Sequence, residues 1–185
     1  MGFVLLAVVV ALALWMVSAY NRLIALKNQV ANAWKQIDVQ LKRRHDLIPN
    51  LVESVKGYMK YEQETLTKVM EARSRAVSST GVKASAEAEN ALTQTLGKIF
   101  ALMENYPELK ANENVLRLQE ELTTTENQIA FARQYYNDLV MRFNMRQEVF
   151  PARLVAGFFN FKPSEFFNVE EAEKAVPRVD LKSGA

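Results

Sequence analysis

DVQLKRRHDLIPN, residues 38–50, decides how many helices this chain is built from. Asp46 suits a helix N-cap and leaves Pro49 in the first turn, where its missing N–H costs nothing. Asn50 with Glu53 offers a capping box one turn later. Arg43 and Arg44 then close the preceding helix, where cations complement the helix dipole. The stretch thus reads as punctuation between two helices. Against this, Leu41, Ile48 and Val55 keep a seven-residue phase through the proline, so one kinked helix is the alternative.

Working outward, residues 2–20 (GFVLLAVVVALALWMVSAY) carry no charge and approach the ~20 residues a helix needs to cross a bilayer. Trp15 and Tyr20 lie toward one end, where aromatic rings favour the headgroup region. A cleaved signal peptide needs a basic leader and a small-x-small cleavage site, and Val17–Tyr20 is a poor one. We expect an uncleaved single-pass anchor. Arg22, Lys27, Lys35, Lys42, Arg43 and Arg44 all follow it, and the positive-inside rule then puts the rest of the chain in the cytoplasm.

Beyond the anchor, apolar residues recur at three- and four-residue steps in four runs. The first holds Leu23, Leu26, Val30, Ala33, Ile37 and Leu41. The second runs from Ile48 to Met70 and fades into SSTGVKASAEAE, whose Gly81 suits a helix C-terminal cap. The third runs from Ala88 to Tyr106 and stops at Pro107. In the fourth, Val115, Leu122, Ile129, Tyr136, Phe143 and Phe150 stand seven apart, giving a helix of about 38 residues and ~55 Å. Such one-sided stripes bury one another in an antiparallel up-down four-helix bundle. The expected organisation is an anchor over 1–20, an all-α bundle over 21–150, and a Phe-rich segment and tail over 151–185.

Chemistry is hard to place on this sequence. There are no cysteines and a single histidine among 185 residues, and a net charge of +2 argues against nucleic-acid binding through bulk charge. A di-iron bundle needs Glu-x-x-His pairs, but Lys42 stands three before His45. His45 reads as a surface or helix-end residue, and no nucleophile elbow, phosphate loop or zinc-protease motif is present. We nominate no catalytic, cofactor-binding or metal-ligating residue. The remote enzymatic reading would rest on Arg43, Arg44, His45 and Asp46.

Two features invite an interaction role. Tyr20-Asn21-Arg-Leu-Ile with Asn28 echoes Tyr136-Asn137-Asp-Leu-Val with Asn144. Asparagines seven apart share a helix face and can hydrogen-bond to a neighbouring helix. The segment FPARLVAGFFNFKPSEFF (150–167) concentrates Phe158, Phe159 and Phe161 with three further phenylalanines. It reads as a strap closing the bundle, or as a membrane-interface or partner-docking segment flanked by Arg153 and Lys162.

Three stretches carry a family resemblance: YNRLIALKNQVANAWKQIDVQLKRRHDLIPNLVESVKGY, NYPELKANENVLRLQEELTTTENQIAFARQYYND and FPARLVAGFFNF. They resemble the LemA family of bacterial membrane-anchored proteins over nearly the whole chain after the anchor. Tyr61-Glu62 stands where that pattern often has His-Glu, which weakens a metal-site reading further. The resemblance implies an N-terminal membrane helix and an antiparallel helical domain; it does not imply a catalytic residue set, because the family has no settled activity. It also implies settings of membrane-compartment biogenesis in magnetosome-forming bacteria, and of envelope stress beside membrane metalloproteases. Together these readings describe a membrane-anchored, non-enzymatic helical scaffold or adaptor. Its expected partners are the lipid bilayer, further copies of itself, and membrane proteases or other envelope proteins. The alternative is a membrane-remodelling protein pressing directly on lipid.

Overall fold

The structure is a computed structural model that describes residues 1–167; the tail expected beyond Phe167 lies outside the described residues. Those residues form helices and connections without a strand. The helices are α1 (Gly2–Lys56), α2 (Gln63–Ser78), α3 (Val82–Met103), α4 (Pro107–Lys110), α5 (Glu113–Glu148) and α6 (Ala152–Phe158).

The first correction falls on residues 38–50. They are interior to α1, which runs unbroken for 55 residues with Pro49 inside it. Asp46 and Asn50 therefore cap nothing, and Arg43 and Arg44 are mid-helix rather than terminal. The phase of Leu41, Ile48 and Val55 wins because all three are buried on one face. An interior proline removes the N–H that would reach the carbonyl four residues back, and it costs about 3 kcal/mol or more. Here that carbonyl belongs to His45, and Arg73 Nε of α2 donates to it at 2.6 Å. A tertiary contact thus replaces the missing helical bond. The chain instead turns at residues 57–62, held by Met59, which is fully buried.

α1 and α5 form a long antiparallel pair. Trp34 meets Tyr136 edge to face with ring centroids 5.6 Å apart, and Arg43 lies 3.8 Å from Glu121. The 36 residues of α5 span about 54 Å, as do the 36 residues of α1 after Tyr20. α5 consequently ends level with the point where the apolar span ends. Asn112 caps α5, its side chain accepting from the backbone N–H of Asn114 and Val115. The sevenfold stripe is buried from Val115 to Phe143, but Phe150 is exposed.

α2 and α3 make a hairpin against the distal half of α1. Gly81 forms the joint in a left-handed conformation (φ 86°), and it precedes α3 instead of closing α2 from behind. α3 therefore begins at Val82, earlier than the periodicity alone suggests. The core falls into two apolar clusters. One joins Leu23, Ile37 and Leu41 to Ile129, Tyr136 and Phe143; the other joins Ile48 and Leu51 to Val69, Ile99 and Leu122.

Candidate functional site

Between those two clusters lies a charged layer to which α1, α2, α3 and α5 all contribute. At its centre Arg44 is fully buried. Its Nη1 donates to Glu126 Oε2 at 2.6 Å and to Thr93 Oγ1 at 2.9 Å. Its Nη2 donates to Glu89 Oε2 and to the Glu89 carbonyl. His45 Nε2 meets the other Glu89 oxygen at 2.8 Å, and Thr93 Oγ1 donates to Glu126 Oε1 at 3.0 Å. Glu89 is 1% exposed, so its charge survives burial only through these donors.

The electrostatics follow from that enclosure. Burial pushes the His45 pKa down to about 4, and the Arg44 and Arg73 cations reinforce the shift while Asp46 opposes it. His45 is then neutral at pH 7 and donates its Nε2–H to Glu89. Burial also lowers the Arg44 pKa, against an upward pull from Glu126. Arg133, which donates to Asn90 at 3.4 Å, is brought down to about 10 by burial and then by Arg44. Its guanidinium carbon stands 4.5 Å over the Phe167 ring, a cation–π contact. Among the described residues no group of three His, Asp or Glu side chains converges as a metal site.

These positions revise the expectation for His45, which is a buried mid-helix residue with a carboxylate partner. Arg43 leaves the layer for its exposed pair with Glu121, and Asp46 and Asn50 face solvent. Glu89, Thr93, Glu126, Arg133 and Arg73 escaped the sequence reading. A signal for two of the layer's members was present. Arg44 occupies the stripe Ile37–Leu41–Arg44–Ile48–Leu51, and Glu89 occupies Ser85–Glu89–Leu92–Leu96. A charge at a core position of an amphipathic helix marks a buried partner on another helix.

At the opposite end, the two halves of the Tyr-Asn echo have different fates. Asn21 and Asn28 are exposed. Asn144 donates to the Ser164 carbonyl at 2.9 Å and accepts from the Ser164 N–H at 2.9 Å. Asn137 does the same with Phe167, at 3.1 and 2.8 Å. The expected asparagine–helix contact is thus an asparagine–strap contact. Seven helical residues advance about 10.5 Å and three extended ones about 10 Å, so the sevenfold spacing matches Ser164 to Phe167. The Tyr136 hydroxyl adds a bond to the Glu165 carbonyl at 2.9 Å.

The strap begins at α6, whose end is a Schellman motif. Asn160 takes the left-handed conformation (φ 52°), its N–H bonds the Gly157 carbonyl, and the Phe161 N–H bonds the Ala156 carbonyl. This reverses the chain, so that Phe161 packs against the core near Tyr20 and Phe143 while Phe167 is buried beside Trp34. Phe158 stays exposed and Phe159 partly so, its ring centroid 4.6 Å from that of Tyr20.

Comparison with known proteins bears on the region that holds both features. The model of the LemA family matches residues 33–181, starting beyond the apolar span. The protein LemA of Metamycoplasma hominis is 28% identical over 155 residues, covering 83% of this chain and 71% of that one. The magnetosome proteins MamQ 1 and MamQ 2 of Paramagnetospirillum magneticum are each 21% identical over 190 residues, covering 89% of this chain and 70% of each relative. With its charged layer and asparagine-held strap inside the matched region, the chain belongs to the LemA family.

Proposed function

We propose that this chain is a single-pass, membrane-anchored scaffold of the bacterial inner membrane, a four-helix bundle acting through protein contacts and as a homo-oligomer, without catalysis of its own. The observation that carries the reading is the continuity of α1, one helix from apolar span to core. Residues 2–18 are all exposed on the protein side, as a lipid-facing helix requires. A helix without a joint fixes the bundle's height and direction above the bilayer, which is what a scaffold needs and a tethered enzyme does not. The charged layer supports the same reading. Arg44, Glu89 and Glu126 engage one another, and a neutral, enclosed His45 is a poor proton shuttle.

A groove of about 680 Å³ between α1 and α5 gives the scaffold a side wall for contacts. Val39, Phe131 and Tyr135 line it and are exposed at 63%, 72% and 51%. By the positive-inside argument this wall faces the cytoplasm. Photo-crosslinking from position 131 in native membranes, followed by mass spectrometry, tests the proposal. Adducts with a second copy or a defined membrane protein are expected. Adducts with lipid alone, at 131 and at exposed Leu116 alike, would sink it.

A further inference from the structure

The Phe-rich segment does not act as one unit, and its division points to a second membrane contact. α6 has two faces. Ala152, Val155 and Ala156 are buried, the latter two in the cluster that holds Ala19 and Leu23 of α1. Opposite them, Leu154 and Phe158 stand four apart and are exposed at 62% and 80%, and Phe150, which precedes the helix, is exposed at 76%. Side chains four apart share one face of the helix. This face is an apolar stripe without a protein partner among the described residues.

Its level along the molecule identifies what covers it. Phe159, next to the stripe, packs on Tyr20, where the apolar span ends. The buried side of α6 belongs to the same apolar cluster as Ala19 and Leu23, the last turn of the span and the first turn beyond it. An apolar stripe at that height lies against the headgroup and upper acyl zone of the bilayer holding the span, where aromatic rings are favoured. Charge agrees with place. Arg153 and Lys162 flank the stripe, and Lys162 with Lys27 lines a cavity of about 360 Å³ behind Phe159. Cations there favour anionic lipid headgroups.

We propose that the outer face of α6, formed by Leu154 and Phe158, together with Phe150 just before it, inserts into the interface of the membrane that holds the α1 span. The elbow is a second, shallow attachment beside the anchor. The inference rests on the anchoring reading above, and the test separates the two.

The absence of cysteine makes every introduced thiol unique. Phe158→Cys, Leu154→Cys, Val17→Cys and Tyr61→Cys variants of the full chain are spin-labelled. They are reconstituted into vesicles of phosphatidylethanolamine and phosphatidylglycerol, and the accessibility of each label to oxygen and to a water-soluble nickel chelate is measured. Tyr61, 97% exposed at the far turn, is the aqueous reference and Val17 the lipid reference. Labels at 154 and 158 are expected to show an oxygen-to-nickel ratio several-fold above that at 61, at a depth shallower than 17. If 154 and 158 match 61 while 17 stays shielded from nickel, the elbow does not touch lipid and the proposal falls, with the anchor intact. If 17 is also nickel-accessible, the anchor itself fails and takes the proposal with it.

Discussion

Replacing Arg44 with methionine removes the central cation of the charged layer and keeps much of its volume. Glu89, 1% exposed, would retain only neutral His45 as a side-chain donor. Glu126 is less affected, because its side chain is 36% exposed and can recover water. Breaking a buried ion pair by deleting one partner costs about 3–5 kcal/mol, most of it the stranded charge. Arg44→Met should fall in that range and Glu89→Leu below it, because Arg44 keeps Glu126 and Thr93, and simple addition would put the pair above about 3–5 kcal/mol. The double variant strands neither charge and should lie within about 2 kcal/mol of wild type. Denaturant unfolding of the full chain in detergent, followed by tryptophan fluorescence, reads these values. Trp34 reports the core through its packing on Tyr136 and Phe167. A loss below about 1 kcal/mol for Arg44→Met, or an additive double variant, would refute the claim that the layer is desolvated and coupled.

Four further outcomes are expected. His45 has a folded pKa of about 4, below the ordinary value of 6.5, so unfolding takes up a proton between those values. Stability should therefore decline as pH falls from about 6.5 to about 4, and unfolding midpoints of His45→Gln should lack that part of the slope. Asn144→Ala removes both bonds to Ser164 and should cost about 1–3 kcal/mol; amide exchange at Ser164 should accelerate while Phe167, held by Asn137, changes less. Pro49→Ala restores the N–H that can reach the His45 carbonyl, so Arg73→Met should be harmful in the parent and nearly neutral in the Pro49→Ala background, by the same unfolding assay. Asp46→Ala, a cap in the sequence reading, should stay within about 0.5 kcal/mol of wild type.

Periodicity carried the helix faces well. The stripe from Val115 to Phe143 is buried, and Ile129 is fully so. Periodicity did not carry the breaks. Pro49 is a strong local stop signal, overridden by Arg73 from a residue far along the chain, and no window around residue 49 contains that information. The true turn at 57–62 owes its place to Met59 docking in the distal core, another long-range effect. The charged layer was half legible. Arg44 and Glu89 interrupt apolar stripes, but their pairing depends on which helices become neighbours. Asn137 and Asn144 advertised a binding face without naming what it binds, because an extended strap leaves no periodic trace.

The unbroken course of α1 has a mechanical consequence. In the proposed anchor, the 18 uncharged residues Gly2–Ala19 measure about 27 Å, close to the ~30 Å hydrocarbon thickness, so such a span fits upright and leans in a thinner membrane. A stiff rod transmits that lean undiminished. Tilting the span by 10° carries the turn at residues 57–62 sideways by about 9 Å, over a lever arm of about 54 Å. Bilayer thickness is thereby converted into displacement at the tip, a gearing that a hinge at residues 45–50 would have absorbed.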